Sequence, residues 1–251
     1  MPIKPFHSAM ESYSAVVLGS TGNVGRQIVN LLAASSAVRQ VVVVNRRQTG
    51  EFGDNPKVRE VVVPDMDQLA EAVETAAREA GATVGFCAIG VGKGSQKMPE
   101  AEVRKIEVQY PEAFAKGCKA GGGLSMGLMT AAGSDIKSSF TYVRIIGEKE
   151  KAVTGVGIPT LGIYKPSVIF GNSNTPSYLS YVFPAVQWVL PSRYHSIHKN
   201  ELARAMFEGT QRALAELQQK QAQGGALPEP EVKSYEYSDM KPFFNKDDPE
   251  D

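Results

Sequence analysis

The sequence predicts an α/β fold built on a doubly wound parallel sheet, with a small cap formed by its C-terminal part. Three observations carry this expectation. Short β-branched runs alternate with longer helical stretches, a glycine-rich turn follows the first of those runs, and the alternation stops near Pro166.

The first strand is expected over Ala15 to Leu18. It is followed by a helix over Asn23 to Ala34 that turns Val24, Ile28, Leu31 and Leu32 to one side. Val41 to Val44 is continuously apolar, as a strand covered on both faces must be. Strands over Val58 to Val63 and Thr83 to Ile89 flank an alanine-rich helix over Met66 to Glu79. A helix over Glu100 to Lys119, a strand over Leu124 to Met129, a helix over Phe140 to Val153 and a strand over Thr160 to Tyr164 complete six strands. Right-handed crossovers then force one parallel sheet with helices on both faces. Beyond Pro166 come a loop at Asn172 to Pro176, an aromatic stretch (Tyr178, Tyr181, Phe183, Trp188) read chiefly as core packing, and a long helix over Lys199 to Gln221. From Gly224 onward proline and charge dominate, a composition that orders only by lying on the domain or on a partner. The whole chain, 1–251, is read as one domain, with roughly 166–251 as substrate-side cap and tail.

Composition excludes several classes of function. The chain has 251 residues, 42% of them hydrophobic, which is enough for one substantial core and unlike a disordered or fibrous protein. Lysine plus arginine equals aspartate plus glutamate at 27 each, so bulk charge draws it to neither nucleic acid nor an anionic membrane. Cys87 and Cys118 have no metal-ligand spacing and read as small buried apolar residues in a reducing compartment. The first fourteen residues have no apolar signal core and read as a loose arm. Tyr178 to Leu190 is too short, and too interrupted by Pro184, for a membrane span. A cytoplasmic protein is expected, with mitochondrial association as the alternative.

Gly19-Ser20-Thr21-Gly22-Asn23-Val24-Gly25 lies between a strand and a helix, the context in which such a glycine pattern holds a dinucleotide. Gly19 permits the turn, Gly22 lets backbone approach a pyrophosphate, and Gly25 lets helix and sheet pack closely. The helix start offers free N–H groups and the positive end of its dipole. About 20 residues further on, where NAD-binding chains of this kind carry an acidic residue for the ribose, stands Asn45-Arg46-Arg47. Two guanidinium groups in place of a carboxylate suit a 2′-phosphate, so NADP(H) is expected ahead of NAD(H). Asp65 is a candidate for the adenine edge and equally a helix N-cap. Ala88-Ile89-Gly90 ends the fourth strand with residues small enough to lie along the cofactor or simply to turn the chain.

These motifs, VVLGSTGNVGRQIV, VNRR, VGFCAIG, SSFTYVRIIGEKE, YKPSV and HSIHKNELARAMF, resemble those of the atypical short-chain dehydrogenase/reductases. Within that family they are similar to the branch of the HIV Tat-interacting-protein-like oxidoreductases. The resemblance implies a Rossmann domain with a catalytic tyrosine, a lysine four residues later and a hydroxyl residue ending the preceding strand. Tyr142 matches the tyrosine, and Thr130 keeps one hydroxyl of a serine pair whose second member is Ala131. The lysine position is Ile146, and a phenol without a neighbouring ammonium stays near its ordinary pKa of about 10. Arg144 points to another helical face, and Lys149 lies too far along the helix to replace the lysine without rearrangement. Tyr237 and Lys241 repeat the four-residue spacing outside the strand–helix context. Lys165, where the family often has arginine, is a candidate for a cofactor phosphate. His195 and His198 lack a third ligand, so no metal site is expected.

Two readings remain open. One is an NADP(H)-binding protein that has lost its chemistry and serves as an accessory or sensor subunit of a larger complex. The other is a slow NADP(H)-dependent oxidoreductase acting on a small carbonyl or alcohol.

Overall fold

The computed structural model describes residues 11–92, 98–171, 191–224 and 226–243. Seven parallel strands form the central sheet: β1 (Tyr13–Leu18), β2 (Val38–Asn45), β3 (Val58–Val62), β4 (Ala82–Cys87), β5 (Ser125–Met129), β6 (Thr160–Tyr164) and β9 (Glu231–Tyr235). They lie in the order β3-β2-β1-β4-β5-β6-β9. Two further short strands, β7 (Ile169–Phe170) and β8 (Ile197–His198), pair in parallel beside it.

The two-sided cover follows from the period of the strands. In β1 and β2, Ala15, Val17, Val41 and Val43 face one way, packing with Ile28 and Leu32 of α1 (Asn23–Ala34). Leu202 and Met206 of the helix Lys199–Ala222 complete that layer. The alternate residues Val16, Leu18, Val42 and Val44 face the other way. There they meet Leu69 and Val73 of α2 (Leu69–Ala80), Phe114 and Cys118 of α4 (Tyr110–Ala120) and Val153 of α5 (Thr141–Val156). Both cysteines are free and buried, and burial pushes their thiols up, out of the reactive range.

Six strands are expected from the sequence, and the seventh corrects that number. β9 comes from the proline- and charge-rich stretch after Gly224, which here lies on the domain by pairing with β6. Only Tyr235 of its five residues is buried, stacked on Tyr164 with centroids 4.7 Å apart, so no apolar alternation announces the strand. The strand also leads into the short helix α7 (Tyr237–Met240), so Tyr237 does follow a strand and begin a helix, contrary to the expectation.

The single helix expected over Glu100 to Lys119 is three pieces: α3 (Glu100–Arg104), a π-helical turn (Lys105–Gln109) and α4. Pro111 explains the change, because its ring displaces the Glu107 carbonyl from regular i→i−4 geometry and the wider turn accommodates it. The long helix α6 (Lys199–Ala222) is capped by His198, whose Nδ1 accepts from Asn200 N while Glu201 closes the reciprocal bond. His195 packs against the Tyr237 ring at 5.2 Å. No cluster of three metal-ligating side chains occurs among the described residues. No helix among them is long and apolar enough to cross a membrane. The N-terminal arm up to residue 10, the loop Asn172 to Pro176, the aromatic stretch Tyr178 to Trp188 and the acidic end after Phe243 lie outside the described residues.

Candidate functional site

The strand order reverses between β1 and β4, and the crevice there receives the glycine turn. Gly19 has φ +90°, and a Cβ on it would stand 2.7 Å from the Ala88 carbonyl carbon. A Cβ on Gly25 would stand 2.0 Å from the Gly19 oxygen. The turn is therefore pressed against the end of β4, and Ala88 N donates to Leu18 O at 2.9 Å to hold the two together. Gly22 is the exposed N-cap of α1 and offers no side chain to the first-turn amides. Those amides of Asn23, Val24 and Gly25 are left for an anion, and the cradle fits a diphosphate.

Ser20 does not reach outward. Its buried hydroxyl donates to Asn45 Oδ1 at 2.8 Å, and Asn45 Nδ2 in turn donates to Glu60 Oε1 at 2.7 Å. Thr21 is exposed beside it. Arg46 and Arg47 are exposed, with no hydrogen bond or ion pair among the described residues. Asp65 accepts from Asp67 N at 3.0 Å, which makes it the N-cap of the 3-10 turn at Met66–Gln68.

Around the end of β4 that meets the glycine turn, the structure gathers side chains that the sequence did not single out together. Lys149, 1% exposed, donates to Ile89 O at 3.0 Å and to Glu107 Oε2 at 3.2 Å. Glu107, equally buried, accepts from Val91 N at 2.9 Å and stands over Gly90. The loop Ile89 to Val91 is thus gripped at two points by a buried ion pair. Ile146 is 2% exposed and belongs to the core. Tyr142 is 42% exposed, yet partial desolvation and then the Glu107 carboxylate push its phenol well above the usual tyrosine range. Thr130 donates to Glu150 Oε1 at 2.9 Å. The other oxygen of Glu150 pairs with Lys165 at 2.8 Å, so Lys165 is spent on a side-chain network that also includes Ser134.

Glu107, Glu150 and Glu60 are residues that sequence reasoning missed, and Lys149 was weighed there only as a replacement for a lysine at position 146. For Lys149 a signal existed: it stands seven residues after Tyr142 and three after Ile146, on the same helical stripe. Glu107 sits where a π turn re-aims its side chain, which no periodicity reveals.

No protein-family model matches the chain. The protein FMP52-1, mitochondrial, of Scheffersomyces stipitis is 28% identical over 162 residues, 64% of this chain and 70% of that protein. Protein HTATIP2 of Rattus norvegicus is 26% identical over 163 residues, 64% of each chain. Among solved structures, MoeE5 in complex with UDP-glucuronic acid and NAD superposes with a TM-score of 0.60 at 13% identity, covering 92% of both chains. A short chain dehydrogenase from Burkholderia cenocepacia in complex with NADP gives 0.57 at 15% identity, covering 92% of this chain and 91% of that one. The strand order is that of a Rossmann-type α/β fold, which these two solved structures share. In sequence the chain is similar to FMP52 and HTATIP2 proteins, the latter of the branch its motifs resemble.

Proposed function

We propose that this protein binds NADP(H), with NAD(H) the weaker ligand, and uses the bound cofactor as an accessory or sensing subunit rather than turning it over. The buried Lys149–Glu107 pair carries this reading. The ammonium that would lower a phenol pKa is absent at Ile146, and the next lysine on the stripe is neutralised by a carboxylate and committed to the Ile89 carbonyl. The phenol of Tyr142 then stays protonated, a poor base for removing a proton from an alcohol. Cofactor binding alone adds stability that grows with the logarithm of ligand excess over Kd, so the cradle is useful without chemistry. The names of the fungal relatives support mitochondrial association in place of a purely cytoplasmic location.

A second reading draws on the exposure of Tyr142. A protonated phenol open to solvent can still give its proton to a carbonyl oxygen as hydride arrives, so a residual oxidoreductase would act slowly on small carbonyls and alcohols, with reduction favoured over oxidation near neutral pH. One assay separates the two. The unmodified protein and Tyr142→Phe are incubated with NADPH and a panel of small aldehydes and ketones. The accessory reading expects no NADPH consumption by either, together with recovery of the protein in a stable complex from its native cells. Consumption that Tyr142→Phe abolishes while NADPH still binds would establish the oxidoreductase instead.

A further inference from the structure

We propose that Glu60 is the residue that sets the preference for NADP(H) over NAD(H), by fixing the backbone that carries Arg46 and Arg47. This inference rests on the cofactor reading above and adds a positioning residue to it. Glu60 lies on β3 and sends its carboxylate across to the loop that leaves β2. There it accepts four hydrogen bonds: Asn45 Nδ2 at 2.7 Å, Thr49 N and Thr49 Oγ1 both at 2.9 Å, and Gly50 N at 3.2 Å.

These partners bracket the arginine pair on either side. Asn45 stands immediately before Arg46, and Thr49 and Gly50 close the turn two residues after Arg47. The clamp is also wired to the glycine turn, because Asn45 Oδ1 receives the buried Ser20 hydroxyl. On the far side, Thr49 Oγ1 accepts from Glu51 N at 3.3 Å, and Glu51 forms an ion pair with Arg26 of α1. The place that holds a diphosphate and the loop that would meet a 2′-phosphate are thereby one hydrogen-bonded unit.

Two consequences follow for selectivity. All the donors around Glu60 satisfy an ionised carboxylate, which accepts and cannot donate, so the clamp needs the charge and not just the shape. The carboxylates of this region are also committed, Glu60 to the loop and Glu51 to Arg26, so neither is free to take a ribose diol as an NAD-type acid does. The two exposed guanidinium groups are then the groups presented at that end, held by a short loop whose freedom Glu60 removes. Preorganised donors cost less ordering on binding, and only a ligand carrying the extra phosphate benefits.

The experiment is a set of titrations with NADPH and with NADH, reading dissociation constants for the unmodified protein, Glu60→Gln, Thr49→Val, Arg46→Ala/Arg47→Ala, and the triple variant joining Glu60→Gln to the arginine pair. Glu60→Gln keeps the shape but turns an amide N–H toward the loop. It is expected to weaken NADPH about tenfold, the size of losing one or two charge-assisted bonds, and NADH less than about twofold. The arginine substitutions should add little once Glu60 is gone, because both act on one interaction. Thr49→Val removes a single clamp bond and should shift the NADPH to NADH ratio the same way by about two- to threefold; it decides the matter if Glu60→Gln does not fold. An unchanged ratio in Glu60→Gln or Thr49→Val, or equal losses for both cofactors, would overturn the inference while leaving the cofactor reading intact. An unmodified protein that binds neither dinucleotide would remove both.

Discussion

Lys149 has two fixed acceptors and almost no contact with water, so its charge cannot be deleted in isolation. Lys149→Met would leave Glu107 buried and unpaired, and is expected to cost about 3–5 kcal/mol in denaturant unfolding. Adding Glu107→Gln should recover much of that loss, since removing both charges avoids the orphaned ion. A Lys149→Met protein as stable as its parent would mean that the pair is not closed in solution. Tyr142 makes the complementary case. The resemblance matches it to a catalytic tyrosine and puts Ile146 where a lysine would stand, and both are expectations from the sequence. The Lys149–Glu107 pair was not legible, because it depends on a π turn that brings Glu107 up to meet Lys149. Thr130 and Lys165 both turn to Glu150, which stands twenty residues after the one and fifteen before the other, a pairing that no spacing announces.

Strands and helices were legible wherever their period was strong. β1 and β2 send alternate residues to two cores, and α1 follows its glycine turn within a residue of its expected bounds. The edge strand β9 was not, because a strand with four exposed residues of five carries no apolar pattern. It is nonetheless anchored: Tyr235 stacks on Tyr164, and Met240 beyond it is fully buried. Removing the chain from residue 225 onward should therefore lower the unfolding midpoint and expose apolar surface to a dye such as ANS; an unaltered melting curve would show that β9 contributes nothing. The glycine turn offers a sharper test at this scale. Gly25→Ala places a methyl group 2.0 Å from the Gly19 oxygen, so turn and helix must separate. Dinucleotide binding should be lost, along with about 1–3 kcal/mol of stability. Retained affinity would show that the turn is not the cradle.

For the molecule as a whole, pH dependence follows from which groups the fold protects. Burial raises the phenols of Tyr13 and Tyr164 strongly and pushes Tyr235 up to about 12. Above about pH 10 the unfolded chain releases protons that the folded chain keeps, so stability should fall as pH rises through that point. On the acid side, desolvation pulls the Glu60 carboxyl upward, but its hydrogen bonds from Asn45, Thr49 and Gly50 together outweigh it and hold it below its usual range. That contribution is present above the unfolded pKa of about 4.3 and is lost as pH falls through the lower folded value. Thermal melts across pH should show both flanks, and a flat profile up to pH 12 would contradict the buried tyrosines. The doubly wound architecture was readable from alternation alone. What the site does with its cofactor was not, because it turns on side chains brought together from elements far apart in the chain.

Calorimetric titration of the unmodified protein with NADPH and then with NADH addresses the glycine cradle most directly. The account requires saturable heat with one dinucleotide per chain and tighter binding for NADPH. A silent titration with every pyridine dinucleotide would mean that the first-turn amides of α1 hold no diphosphate, and would contradict it.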